Sequence, residues 1–122
     1  MKDKPLPNFT PTDKIPELAC ITIVPGSGDA TVKSTDTVTV NYTGALAKNG
    51  NVFESSLDSG QSATFPLSGV IPGWTQGLPG MKVGETRRVL IPSALGYGAS
   101  GSGTIPANSD LVFDVTLIKI GQ

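Results

Sequence analysis

Histidine is absent from this chain of 122 residues, and cysteine occurs once, as Cys20. Those two facts remove Ser-His and Cys-His nucleophile pairs, HExxH zinc sites, cysteine metal cages and imidazole proton transfer together. The carboxylates add little. Glu54 and Asp58 are close in sequence, but their Ser-rich surroundings read as a solvated turn rather than a hydrolytic acid pair. Too few acids converge for a metal site. The stretches "GSG" (26–28) and "GASGSG" (98–103) fit neither GxxxxGK(S/T) nor a strand-to-helix GxGxxG, which argues against a phosphate cradle. A catalyst built from these residues would work without nucleophile, metal or imidazole.

What the chain does own is aromatics at the ends of its predicted elements: Tyr42, Phe53, Phe65, Trp74, Tyr97 and Phe113. Ordinary core packing accounts for Phe65. Tyr97 sits in "ALGYGASGSG", a glycine-bracketed loop where core filling would call for an aliphatic residue. A phenol there sets an O–H beside an apolar surface, which fits a binding pocket better than a core tyrosine capped at its hydroxyl.

The elements that must position these side chains are mostly strands. "CITIV" (20–24) is β-branched and ends at a Pro-Gly turn, and "DTVTVNYTG" (36–44) alternates, with Val38, Val40 and Tyr42 on one face. Asn49-Gly50 predicts a tight hairpin turn, since both residues tolerate positive φ, returning the chain into "NVFESS" (51–56). "SATFPL" (62–67), "TRRVLIP" (86–92) and "DLVFDVTLIKI" (110–120) complete the set, the last placing Leu111, Phe113, Val115 and Leu117 on one side. One helix is expected: Ile71, Trp74, Leu78 and Met81 form a 3.6-period stripe, with Pro72 at the first helical position. Gly77 and Pro79 hold it under two turns, so packing rather than propensity must maintain it. The fold class is α+β, an antiparallel sheet curled around one short helix, with Trp74 pointing into the sheet.

The length suits one domain. Residues 1–18 hold four prolines and read as an extended arm or linker outside the core, leaving 19–122 as the folded unit. A formal charge of −1, with Arg87-Arg88 the only adjacent basic pair, argues against a nucleic-acid or polybasic membrane surface. No apolar run reaches membrane-spanning length, and Met1 opens onto a polar segment rather than a signal peptide. Ser/Thr richness and light charge lean towards an envelope or secreted protein whose signal is not shown, with the cytoplasm nearly as good. With nothing helical ahead of Cys20, a monomer is expected.

The segments "VTVNYTG", "VFESS", "FPLSGVIPGWTQGLPGMKVGE" and "RRVLIPSALGYGASGSGTIPANSDLVFDVTLIKI", in that order, closely resemble the FKBP family of peptidyl-prolyl cis-trans isomerases, nearest its bacterial macrophage-infectivity-potentiator-like branch. The resemblance covers residues 19–120. It implies a twisted antiparallel sheet around a short helix, and a pocket with Trp74 as floor. Tyr42, Phe53, Val70, Ile71, Ile105 and Phe113 are its implied walls, and Tyr97 stands at the rim. Catalytic roles fall to Tyr97, the backbone N–H of Ile71, and Glu54. Proline-containing polypeptides are the implied substrates and rapamycin or tacrolimus the implied inhibitors, with no cofactor, metal or nucleic acid. Glu54 stands where the family commonly has Asp, Ala63 where human members often have Phe, and Thr104 where an aliphatic residue is usual. Those departures bear on inhibitor affinity and substrate preference. Glu54, along with the arm, also sustains the alternative of a non-catalytic, FKBP-like protein-binding module.

Overall fold

The computed structural model describes residues 5–6, 9–12, 14–58, 60–98, 101 and 105–121, with Leu57 described by its backbone alone. Thr104 lies outside the described residues.

Six strands form one antiparallel sheet: β1 (Ala19–Val24), β2 (Thr37–Leu46), β3 (Val52–Ser55), β4 (Ala63–Pro66), β5 (Thr86–Ile91) and β6 (Leu111–Ile120). Their order is β1-β5-β6-β2-β3, and β4 shares the outer side of β2 with β3. Against the sheet lies α1 (Pro72–Gly77), and 3-10 turns occupy Ser56–Asp58, Leu67–Gly69 and Ser93–Leu95.

The core lies between α1 and the inner face of the sheet, where Val38, Val40, Val89, Phe113, Val115 and Leu117 are buried. This is the period-2 pattern read from β2 and β6, realised because antiparallel pairing sends alternate side chains to one face. The helix matches its expected start. Pro72 is the first helical residue, and the Ile71 carbonyl accepts from the N–H of Trp74 (3.0 Å) and Thr75 (3.3 Å). Its glycines serve close approach. A Cβ on Gly73 would stand 2.6 Å from the Ile91 side chain, and one on Gly77 2.8 Å from Val89. Either would push the helix, and Trp74 with it, away from the sheet. The far end is held by Arg87, which donates to the carbonyls of Gly77 (3.0 Å) and Pro79 (3.1 Å). Glu85, itself buried, fixes that guanidinium from the other side at 2.9 Å.

Three expectations need correction. Met81 is fully buried but follows the helix, because Leu78 already caps it and Pro79 has no N–H to continue it. At the hairpin only Gly50 takes positive φ (+73°). The turn is a longer one, in which Asn49 Oδ1 accepts from Asn51 N–H (2.9 Å), and Leu46 pairs with Asn51 around it.

The arm is the largest difference. Residues 5–6, 9–12 and 14–18 form no named strand or helix, yet they do not stand apart from the core. Leu6 and Ile15 are each only 4% exposed. Leu6 packs on Ala45, Val52 and Val112 of the outer face, with Phe9 and Leu90 beside them. The arm is tied by Leu6 N–H to Gly50 O (2.8 Å), Thr12 N–H to Ala47 O (2.8 Å) and Ile15 N–H to Asp110 Oδ2 (2.6 Å). Proline removes donors without removing apolar side chains, so a Pro-rich segment can still bury a leucine against a sheet.

Candidate functional site

Between β2, the Leu67–Gly69 turn, α1 and the Tyr97 loop opens a cup of about 340 Å³. Its lining is Tyr42, Glu54, Phe65, Gly69, Val70, Ile71, Trp74, Tyr97 and Phe113. A larger hollow of about 470 Å³ lies between Lys48-Asn49 and the Pro106 to Asp110 loop, but it has no aromatic lining. Convergent aromatic and polar groups, not size, mark the smaller one as the candidate site.

Trp74 is the floor. Its indole is 4% exposed and stands edge-to-face against Tyr42 (5.5 Å, 81°), Phe65 (5.5 Å, 88°) and Phe113 (5.4 Å, 88°). Such T-shaped contacts match the electropositive edge of one ring to the electronegative face of another, so the rings lock one another's orientation. The indole Nε1–H is buried with no hydrogen-bond acceptor among the described residues. Phe53 adds an outer layer by standing edge-to-face on Phe113 at 5.7 Å and 88°.

Tyr42 is set by a discontinuity in the sheet. β4 pairs with β2 over Thr37 to Val40 and β3 over Thr43 to Ala45, leaving Asn41 and Tyr42 between them. Serine hydroxyls bridge the gap. Ser56 Oγ accepts from Tyr42 N–H (2.8 Å), and Ser55 Oγ donates to the Tyr42 carbonyl (3.2 Å). Both serines are buried. They satisfy backbone that a continuous strand would otherwise pair, which any buried peptide group requires. The same break lets Glu54, on β3, reach Tyr42. Burial first, then a hydrogen bond to Glu54 and that carboxylate's charge, push the Tyr42 phenol up to about 12. Burial and, after it, the charge of Glu54 push the Tyr97 phenol up as well. Both phenols are thus held protonated near neutral pH and remain hydrogen-bond donors.

Tyr97 follows the Ser93–Leu95 turn, whose first N–H donates to Asp110 Oδ1 at 2.8 Å. No partner among the described residues takes the Tyr97 hydroxyl, nor the N–H of Ile71 at the start of α1.

Of the residues singled out from sequence, Tyr42, Glu54, Val70, Ile71, Trp74, Tyr97 and Phe113 line one cup. Phe53 and Ile105 do not; both belong to the surrounding core, where Ile105 is buried and Phe53 partly so. Ala63, paired with Val40 on β4, is not in the lining either. Sequence reasoning missed Phe65, taken for ordinary core, and the two buried serines. Phe65 alternates with Ala63 on β4, the one available signal; nothing about "ESS" announces burial.

A model of the FKBP-type peptidyl-prolyl cis-trans isomerase family matches residues 28–118. The FKBP-type isomerase FkpA of Aeromonas hydrophila is 54% identical over 95 residues, 78% of this chain and 35% of that protein. The isomerase FPR2 of Saccharomyces cerevisiae is 50% identical over 88 residues, 70% of this chain and 65% of its own. The crystal structure of FkpA from Escherichia coli superposes with a TM-score of 0.78 at 44% identity, covering 85% of this chain and 48% of that one. An isomerase from Pseudomonas syringae gives 0.77 at 34% identity over 91% and 80%. The chain spans about a third of the length of the FkpA proteins it matches. With that match running through every element that builds the cup, the chain belongs to the FKBP-type peptidyl-prolyl cis-trans isomerase family.

Proposed function

We propose that this chain catalyses cis-trans rotation about X–Pro bonds in polypeptides, assisting protein folding, with the aromatic cup over Trp74 as its active site. The observation that carries this reading is the cup itself: apolar walls, one tryptophan floor and, beside them, donors with no partner among the described residues. Residues 19–122 form the catalytic unit, acting as a monomer, and 1–18 serve as an arm or linker.

Uncatalysed, such a bond isomerises in roughly 10–100 s against a barrier of about 18–20 kcal/mol. No bond to hydrogen is made or broken, so the missing histidine, metal and nucleophile are no handicap. As the amide twists, resonance is lost and its carbonyl becomes less polar. An apolar, water-poor cup therefore disfavours the planar amide relative to the twisted one. A thousandfold acceleration needs only about 4 kcal/mol.

The prolyl ring packs on Trp74, between Tyr42, Val70 and Phe113, with Phe53 and Ile105 supporting these walls from behind. The Ile71 N–H and the Tyr97 O–H donate to substrate carbonyls and hold the chain while the bond turns. Glu54 orients the Tyr42 phenol that borders the ring. Macrolides of the rapamycin and tacrolimus type compete for the same apolar surface; one relative carries the name FK506-binding protein 2.

A protease-coupled assay on Leu-Pro and Ala-Pro peptides tests this reading. Acceleration that rapamycin blocks, and that is lost in the double variant Tyr97→Phe/Trp74→Ala, is the expected result. A folded chain with no acceleration overturns the enzyme reading in favour of a non-catalytic binding module.

A further inference from the structure

The cup carries one charge. Of its nine lining residues eight are neutral, and the ninth is Glu54. Its side chain is exposed, on β3 opposite Gly44, so it stands at the mouth rather than in the floor. Among the described residues no lysine or arginine lines the cup to compensate it. The charge reaches across the opening, because it acts on the phenols of both Tyr42 and Tyr97, which come from different elements. A lone charge beside low-dielectric walls is screened less than one on an open surface, and its field extends over whatever lies in the opening.

We propose that Glu54 is a specificity-determining residue, selecting X–Pro bonds in which X is basic and discriminating against those in which X is acidic. This rests on the isomerase reading, with the cup as the site of reaction. If the prolyl ring sits over Trp74 and the X carbonyl meets a donor at the rim, the X side chain leaves the cup at its mouth, where Glu54 is. A Lys or Arg there keeps its hydration while gaining attraction. A Glu or Asp meets a like charge. Such a mouth suits clients whose prolines lie in basic stretches.

Three peptides of one length, differing only in X as Lys, Gln or Glu before the proline, test the idea by NMR exchange in the full chain. The expected order of kcat/KM is Lys, then Gln, then Glu. The Lys-to-Glu ratio should be about three- to tenfold at low salt, collapsing towards unity at about 1 M salt, where the screening length is about 3 Å. Glu54→Gln should remove the ratio and its salt dependence, whatever it does to the absolute rate, and Glu54→Asp should keep both. A ratio near unity in the parent chain, or one that survives in Glu54→Gln, overturns the inference while leaving the isomerase intact. No acceleration of any of the three peptides overturns the isomerase reading itself, and the inference with it.

Discussion

On the inner face of the sheet, β6 presents Leu111, Phe113, Val115 and Leu117 to the core that carries the helix and the cup; on the outer face it presents Val112 to the arm. The inner cluster is deep, aromatic and built of rings that hold one another by edge-to-face contact. The outer one is smaller, with four buried residues among those described. Its neighbours are an Arg88–Asp114 ion pair at 2.7 Å and a guanidinium lying over the Phe9 ring at 5.6 Å. One sheet therefore carries two unlike surfaces a residue apart in sequence. The inner one makes a site; the outer one makes a seat for a strap. Stability and activity should consequently be separable by choosing the face that is altered.

The severest test is Trp74→Ala. It should lower kcat/KM by about a hundredfold or more, since about 2.7 kcal/mol of lost transition-state stabilisation suffices. Stability should fall by about 3–5 kcal/mol as the rings lose their common partner. Peptide isomerisation and urea unfolding measure the two together. Leu6→Ala, on the other face, should lose about 2–3 kcal/mol in the same unfolding experiment. Its kcat/KM at native temperature should stay within about twofold of the parent, well under 1 kcal/mol. A matching loss of activity would break the division between faces.

Smaller effects sharpen the comparison. Tyr97→Phe removes one donor and should cost about three- to tenfold in kcat/KM, the worth of a single hydrogen bond, with little change in unfolding midpoint. Phe9→Leu should weaken the strap by about 0.5–1 kcal/mol, the size of an exposed cation–π contact, without touching the rate. The last test is alkaline. Tyr42 titrates near 12 in the folded chain, against about 10 for an ordinary tyrosine. Above about pH 10 the unfolded chain has released that proton while the folded one retains it, so stability should decline from there up to about pH 12. Tyr42→Phe should lose that part of the decline, as read from thermal midpoints across the range.

The legible parts of this molecule are those in which one face is buried and the other is wet. The first half of β2 and the whole inner row of β6 follow from alternation alone, and α1 from its stripe and Pro72. Seven of the nine cup residues were reached in the same way or through the family resemblance. Legibility fails where both faces are covered. Thr43, Gly44 and Ala45 are consecutively buried; Ala45 owes its cover to Leu6 of the arm, and no periodicity within 1–18 foretells that Leu6 docks there. It fails again at Ser55 and Ser56, whose burial compensates a gap between β3 and β4. That need arises only once two separate segments have chosen the same edge of β2.

The floor of the cup is also the chain's only tryptophan. Its indole is shut away from solvent, ringed by aromatic carbon and without a hydrogen-bond acceptor among the described residues. Tryptophan emission from this protein, excited at wavelengths where its two tyrosines do not absorb, therefore comes from one place, with the short-wavelength maximum expected of an indole in a nonpolar surrounding. Anything that settles into the cup alters that light directly, and anything that merely loosens the strap leaves it alone until the sheet opens. The molecule thus carries its own single-site optical probe, already at the point where substrate would rest, with no label to attach.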